Sequence, residues 1–220
     1  MSDEILEAPG SIAIIGGGVL GLETALYARF LGYEVQLLEA SEVGQRWLDE
    51  GDAPLQFLPG RGISELALAA IRAQSDDSQA LQTLPTTAAD WANQILRPLA
   101  EIDLLAGRVH CGHRVVDVRR VPNEEDPEEF DFQIHCQGQD TVWQAEAVVD
   151  TAGWSADSDA PEGFAQWSAV PYFCCIDGHD SAAGDEDWEA RSRRGRDQIR
   201  QRFATWGDRP TLDLYRPRRS

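Results

Sequence analysis

The chain predicts an α/β fold in which a parallel sheet carries a helical insert and an antiparallel β-excursion. Three observations carry this reading. An apolar strand at residues 12–15 runs through a glycine turn into a helix and on to a second apolar strand. Strand-like segments crowd residues 108–150 after a stretch of helical pattern. A last apolar strand, near residues 172–177, precedes a long helical segment.

The first unit, IAIIGGGVLGLETALYARFLGYEVQLLE at residues 12–39, is the most specific. In it Gly16 makes the tight strand-to-helix turn. Gly18 lets the backbone approach a pyrophosphate, and Gly21 lets the helix pack closely on the sheet. The helix N-terminus offers unpaired N–H groups and a partial positive charge to phosphates. Leu22, Ala25, Leu26 and Phe30 recur at helical spacing, and Gly32 suits the C-terminal cap. Glu39 closes the second strand, where a carboxylate accepts the 2′ and 3′ hydroxyls of an adenosine ribose. Such a strand–turn–helix–strand unit is a Rossmann-like dinucleotide site, and its acid disfavours NADP, whose 2′-phosphate it would repel.

Residues 52–62, with Pro54, Pro59, Gly60 and Gly62, read as a loop. Ser64 suits the cap of a helix reaching about Arg72. Thr87 and Asp90 form a capping box before a further helix, which Pro98 is expected to end or kink. HRVVDVRRV, FDFQIHC and VWQAEAVVD then read as three antiparallel strands, the second placing Phe130, Phe132, Ile134 and Cys136 on one face. AVVDTAG, residues 147–153, is an apolar strand ending in a turn of small residues that can pass close to a phosphate loop. Tyr172–Asp177 is the closing strand, and EDWEARSRRGRDQIRQRFATW the closing helix, with Gly195 weakening its interior. These segments make one domain over residues 11–206, with a helical insert at 52–106 and the excursion at 108–150. Residues 1–10 and 207–220 are tails, and the ending RPRRS suggests no severed domain.

Composition narrows the function. A net charge of −19 argues against nucleic acid and anionic membranes as main partners. The start MSDEILEAPG has no signal-peptide pattern, and no apolar run approaches the roughly 20 residues of a membrane span. A soluble cytoplasmic protein is expected. Charge is uneven, since residues 191–220 hold ten Arg against three Asp. That stretch either packs on the acidic body or forms an anion or partner site. There is no lysine, which excludes Schiff-base chemistry, a Walker lysine and an ammonium beside a flavin. Cys111, Cys136, Cys174 and Cys175 follow no CxxC or zinc spacing, so no metal is expected. The vicinal pair reads as strand residues.

Taken in order, Gly16/Gly18/Gly21, Glu39, the β-excursion, Thr151-Ala152-Gly153 and the closing strand and helix resemble the FAD-dependent pyridine nucleotide-disulfide oxidoreductase superfamily. Within it the chain is similar to the flavin-containing monooxygenase-like branch, over most of residues 10–206. The resemblance implies FAD as cofactor. Gly16, Gly18 and Gly21, with the adjoining Val19 and Leu20, would line the pyrophosphate, and Glu39 with Ala40 the adenosine ribose. Gly44 and Arg46 would lie near the phosphates, Val115 (first apolar residue of the third strand) at the adenine, and Ala152 and Gly153 at the diphosphate loop. Asp177 falls at the family's ribityl-binding Gly-Asp element, although the order here is Asp-Gly-His-Asp.

The family's second GxGxxG, on an inserted NAD(P)H domain, has no counterpart. Only about 18 residues separate the small-residue turn from the closing strand, and a nucleotide-binding domain needs several times more. The disulfide reductases' CxxxxC is missing too. No general base or nucleophile pair stands out, and His179 reads as a solvated loop residue. The expected protein is an FAD-binding oxidoreductase fed by a small-molecule substrate or a separate reductase. A non-catalytic FAD-binding module is the alternative, and an NAD-binding dehydrogenase the third reading.

Overall fold

The computed structural model of the chain describes residues 5–74, 84–123, 129–153, 170–176 and 188–216. β1 (Ser11–Ile15), β2 (Glu34–Leu38), β3 (Val109–His110), β7 (Ala147–Asp150) and β8 (Phe173–Cys175) form one sheet in the order β3-β2-β1-β7-β8. Every pairing in it is parallel, with Ile12 opposite Val35 on one side and Ala147 on the other. The chain thus leaves β1 toward one edge through β2 and β3, then returns to its other side for β7 and β8. That reversal opens a crevice at the carboxyl ends of β1 and β7.

Buried on both faces, β1 divides its side chains between two cores. Ile12 and Ile14 join a cluster with the helices, while Ala13 and Ile15 join one with the antiparallel sheet. This period-two division is what strand geometry dictates. The antiparallel sheet is β4 (Val115–Pro122), β5 (Phe130–Cys136) and β6 (Val142–Ala145), in the order β4-β5-β6. Val118, Phe132, Ile134 and Cys136 face the parallel sheet, but Phe130 lies 40 % exposed beneath the Arg120 guanidinium.

Two strand assignments change in three dimensions. VWQAEAVVD is not one strand but β6 and β7, divided at Glu146. The Glu146 carboxylate accepts hydrogen bonds from the Ser11 N–H and hydroxyl, which pins the changeover between sheets to the start of β1. Val115 opens an antiparallel strand as expected, but that strand is the fourth in the chain, not the third. The short parallel strand Val109–His110 is the third and precedes it.

α1 (Val19–Phe30) buries Leu22, Ala25 and Leu26 as its spacing requires. Phe30, at the last helical position where the chain turns back toward β2, is instead 48 % exposed. The insert contributes α2 (Gln45–Glu50), α3 (Pro59–Gly62), α4 (Glu65–Gln74), α5 (Ala88–Trp91) and α6 (Arg97–Glu101). α3 is a helical turn within the segment read as loop, with Pro59 at its first position, where the missing N–H costs nothing. The Ser64 hydroxyl accepts from the Ala67 N–H at 3.1 Å and so caps α4. Thr87 and Asp90 make the reciprocal capping box.

Pro98 does not end its helix. Ala92–Leu96 widens into a π-helical turn that joins α5 to α6, accommodating a ring that would otherwise collide with the preceding turn.

The closing helix, α7 (Trp188–Trp206), turns a stripe of Ser192, Gly195, Ile199 and Phe203 onto the body. At Gly195 α7 approaches the body closely, since a β-carbon there would stand 2.5 Å from Leu20 Cδ2. Its helix-weakening glycine is therefore a packing requirement. Toward the other end, Phe203 stacks on Tyr27 with ring centroids 5.5 Å apart. No helix among the described residues is long and apolar enough to cross a membrane.

Candidate functional site

At the crevice, the glycine turn and the β7 turn hold each other. The Thr151 hydroxyl donates to the Ile15 carbonyl at 2.8 Å and lies 3.2 Å from that of Gly16, while the Thr151 N–H also bonds Ile15. A β-carbon on Gly16, whose φ is +102°, would lie 3.0 Å from that hydroxyl. One on Gly21 would lie 1.9 Å from the Gly16 carbonyl oxygen, closer than any non-bonded approach permits. Gly21 is therefore behind the loop and does not line the cavity in front of it. It lets the first turn of α1 close against the loop, which correspondingly presents Gly16 and Gly18 forward.

Gly17, outside the GxGxxG spacing, proves equally constrained. Its N–H donates to Glu39 Oε2 at 2.5 Å, and a β-carbon would meet the Glu39 side chain at 3.0 Å. Glu39 Oε1 accepts from the Ser41 N–H at 2.8 Å. Two backbone donors thus hold the carboxylate at the end of β2, and its remaining lone pairs stay available to hydroxyl donors. The adjoining chain is anchored as well, with the His113 N–H bonded to the Glu39 carbonyl.

Gly18 is the opposite case. It is exposed, and a β-carbon there would meet nothing within 4 Å. As N-cap of α1 it supplies no side-chain acceptor, and the first turn holds no acidic residue. The N-terminus of α1 consequently lies on a cavity of about 610 Å³, its positive end capped by no side chain among the described residues. That volume is in the range of small-molecule and cofactor sites, roughly 300–1,000 Å³.

Gly16, Gly18, Val19, Leu20, Glu39, Ala40, Gly44, Arg46, Val115, Ala152 and Gly153 all line this one cavity. Gly44, at φ +72°, is pressed against Ala92 and Leu96 of the π-helical turn, which fixes the insert beside the loop. Arg46 is 75 % exposed and reaches Glu50 at 3.6 Å. Asp177, along with His179, lies outside the described residues.

Sequence reasoning passed over Trp47, His113, Trp188, Arg191 and Ser192, which also line the cavity. Trp47 and Trp188 meet edge to face at 5.0 Å. His113 lies against His110 and Trp143; burial and the neighbouring His113 lower the pKa of His110. The arginine excess near the C-terminus was the only available signal for Arg191, and it gave no position. Among the described residues, no group of three or more His, Cys, Asp or Glu could hold a metal ion.

Residues 3–53 match the family model of the pyridine nucleotide-disulphide oxidoreductases. Among solved structures, the chain is similar to OTEMO in its complex with FAD and NADP, at 18 % identity and TM-score 0.47, over 66 % of this chain and 25 % of that one. It is similar to the bacillithiol disulfide reductase Bdr of Staphylococcus aureus, at 16 % identity and TM-score 0.47, over 64 % and 38 %. A flavin monooxygenase from Stenotrophomonas maltophilia compares at 21 % identity and TM-score 0.42, over 64 % and 37 %. No curated protein matches. The chain spans a quarter to two fifths of the length of these solved chains. The segment holding β1, the glycine loop, α1 and β2 therefore carries the sequence pattern of the pyridine nucleotide-disulphide oxidoreductases, within an α/β fold whose parallel sheet is Rossmann-like.

Proposed function

We propose that the cavity binds FAD and that the chain is the flavin-binding unit of an oxidoreductase. The observation that carries this reading is Gly18, an open N-cap at the switch point of a parallel sheet. A β-carbon there would meet nothing within 4 Å, and among the described residues neither a side-chain cap nor an acid in the first turn answers the α1 N-terminus. The family match over residues 3–53 supports FAD as the cofactor. So does the three-stranded excursion packed on the sheet. Gly16, Gly18, Val19 and Leu20 would surround the diphosphate, with Gly44 and Arg46 beside it. Glu39 and Ala40 would receive the adenosine ribose, Val115 the adenine, and Ala152 and Gly153 the opposite side of the diphosphate.

When bound, the isoalloxazine would supply the redox chemistry by accepting hydride or electrons. The residues of this chain would orient the cofactor and exclude water around it. The reductant would be a small molecule or a separate reductase. A reducing cytoplasmic setting would suit this cysteine usage, which follows no CxxC or zinc spacing.

The test is direct. Purified protein should be yellow, or should become so on adding FAD, and the ligand released by denaturation should co-elute with FAD rather than NAD. Colourless protein that takes up no FAD would overturn the proposal. Bound flavin that no reductant bleaches, whether NADH, NADPH or dithionite, would remove the redox role while leaving the binding role intact.

A further inference from the structure

We propose that Arg191, on the C-terminal helix α7, is the cation that receives the diphosphate of the bound dinucleotide, so that α7 completes the site. The inference rests on reading the cavity as a dinucleotide site. Trp188, Arg191 and Ser192 are the α7 residues on its wall. The contact of Gly195 with Leu20 sets α7 against the first turn of α1. Arg191 lies one turn before Gly195 on the same helical face, beside the N-terminus of α1. That is where an anion attracted by the open N-cap must sit.

The second observation is a missing partner. Among the described residues Arg191 Nε is buried without a hydrogen-bond acceptor, and so is Trp188 Nε1, three residues earlier. Arg61, Arg97, Arg108 and Arg119 each reach a carboxylate, and Arg29, whose Nε is also buried without a partner, still reaches Glu34 through Nη1, in a chain with twice as many acids as bases. A buried guanidinium donor left unpaired is costly, so such groups are nearly always matched. Here the acceptor would arrive with the ligand. The other cations on the wall fit less well. Arg46 is engaged with Glu50 and open to water, while Arg114 is exposed beside Val115, toward the adenine end. A planar guanidinium also suits two phosphate oxygens at once.

The experiment titrates FAD, ADP, adenosine and riboflavin into the full chain and into Arg191→Ala and Arg191→Lys. Binding is followed by the fluorescence of Trp47 and Trp188, and folding by circular dichroism. Arg191→Ala should weaken FAD and ADP by about 10- to 100-fold, the loss of a charge-assisted contact. Adenosine and riboflavin, which lack the diphosphate, should change less than twofold. Arg191→Lys should recover part of the loss, and the salt dependence of ADP binding should flatten in Arg191→Ala. Equal affinity of Arg191→Ala and wild type for FAD and ADP would overturn the assignment. So would an equal loss for all four ligands, which marks a purely structural role. Should Arg191→Ala not fold, Arg191→Lys decides by the same comparison between ligands with and without a diphosphate. Failure of the wild type to bind FAD or ADP would instead refute the dinucleotide reading itself.

Discussion

Gly18 and Gly21 are three residues apart in one loop, and alanine should act oppositely at the two. At Gly21 the new β-carbon would stand 1.9 Å from the Gly16 carbonyl oxygen and 2.9 Å from the Thr151 hydroxyl. An ordinary contact needs about 3.4 Å, so backbone must move by roughly 1.5 Å, and no flexible side chain can absorb the displacement. Overpacking costs about 1–3 kcal/mol where side chains can adjust. With backbone on both sides, Gly21→Ala should lose at least about 3 kcal/mol, lowering Tm by roughly 6–12 °C for a chain this size.

At Gly18 the β-carbon enters open space, and φ −78° with ψ −174° suits alanine. Reduced freedom of the unfolded chain favours alanine by about 0.4–1 kcal/mol. Its poorer capping offsets a similar amount, so stability should stay within about 1 kcal/mol of wild type. The methyl group would stand where the diphosphate approaches the α1 N–H groups, however, and FAD affinity should fall about tenfold or more. Urea unfolding without ligand and FAD titration separate the two effects. An unchanged affinity in Gly18→Ala, or an unchanged unfolding midpoint in Gly21→Ala, would refute the division into a ligand-facing and a packing glycine.

Glu39→Gln replaces one acceptor oxygen with a donor, so either the Gly17 or the Ser41 N–H loses its partner. Stability should drop by about 1–3 kcal/mol, and ADP binding should weaken, as seen by melting and titration. Gly195→Ala should destabilise by about 1–3 kcal/mol through its collision with Leu20, and Leu20→Ala should relieve it. A double-mutant cycle showing no coupling would remove the proposed contact. Glu23 is fully buried, and desolvation raises its pKa above 4.5, although hydrogen bonds from the Ser64 N–H and hydroxyl oppose the shift. A raised carboxyl pKa means the folded state holds the proton longer. Its contribution is intact below pH 4.5 and is lost as pH rises through the folded value, by at most about 1.4 kcal/mol per unit. Glu23→Gln should flatten this part of the stability profile above pH 4.5, as urea midpoints would show.

Much of this architecture was legible because its signals are local. Apolar runs marked β1 and β2, alternation marked β5, and the Thr87–Asp90 box marked a helix start. Each depends on residues within a turn or a strand of one another. Readings failed where a distant segment decided the outcome. Residues 142–150 look like one strand until Glu146 finds Ser11, and Pro98 reads as a stop or a kink until the widened preceding turn carries the helix through it. Phe30 carries the right spacing, but the helix ends beneath it.

By itself the sequence determined the parallel α/β unit, the glycine turn and the acid that closes β2. Glycine spacing and apolar period act through backbone geometry over a few residues. Tertiary structure alone decided which glycine faces the cavity and which faces the protein, that Glu39 is held by the Gly17 N–H, and that α7 brings Arg191 to the loop. These depend on contacts across up to about 175 residues of chain, made by the packing of Leu20 into the space at Gly195. No local pattern in the sequence records which segments will meet, because that choice belongs to the whole core.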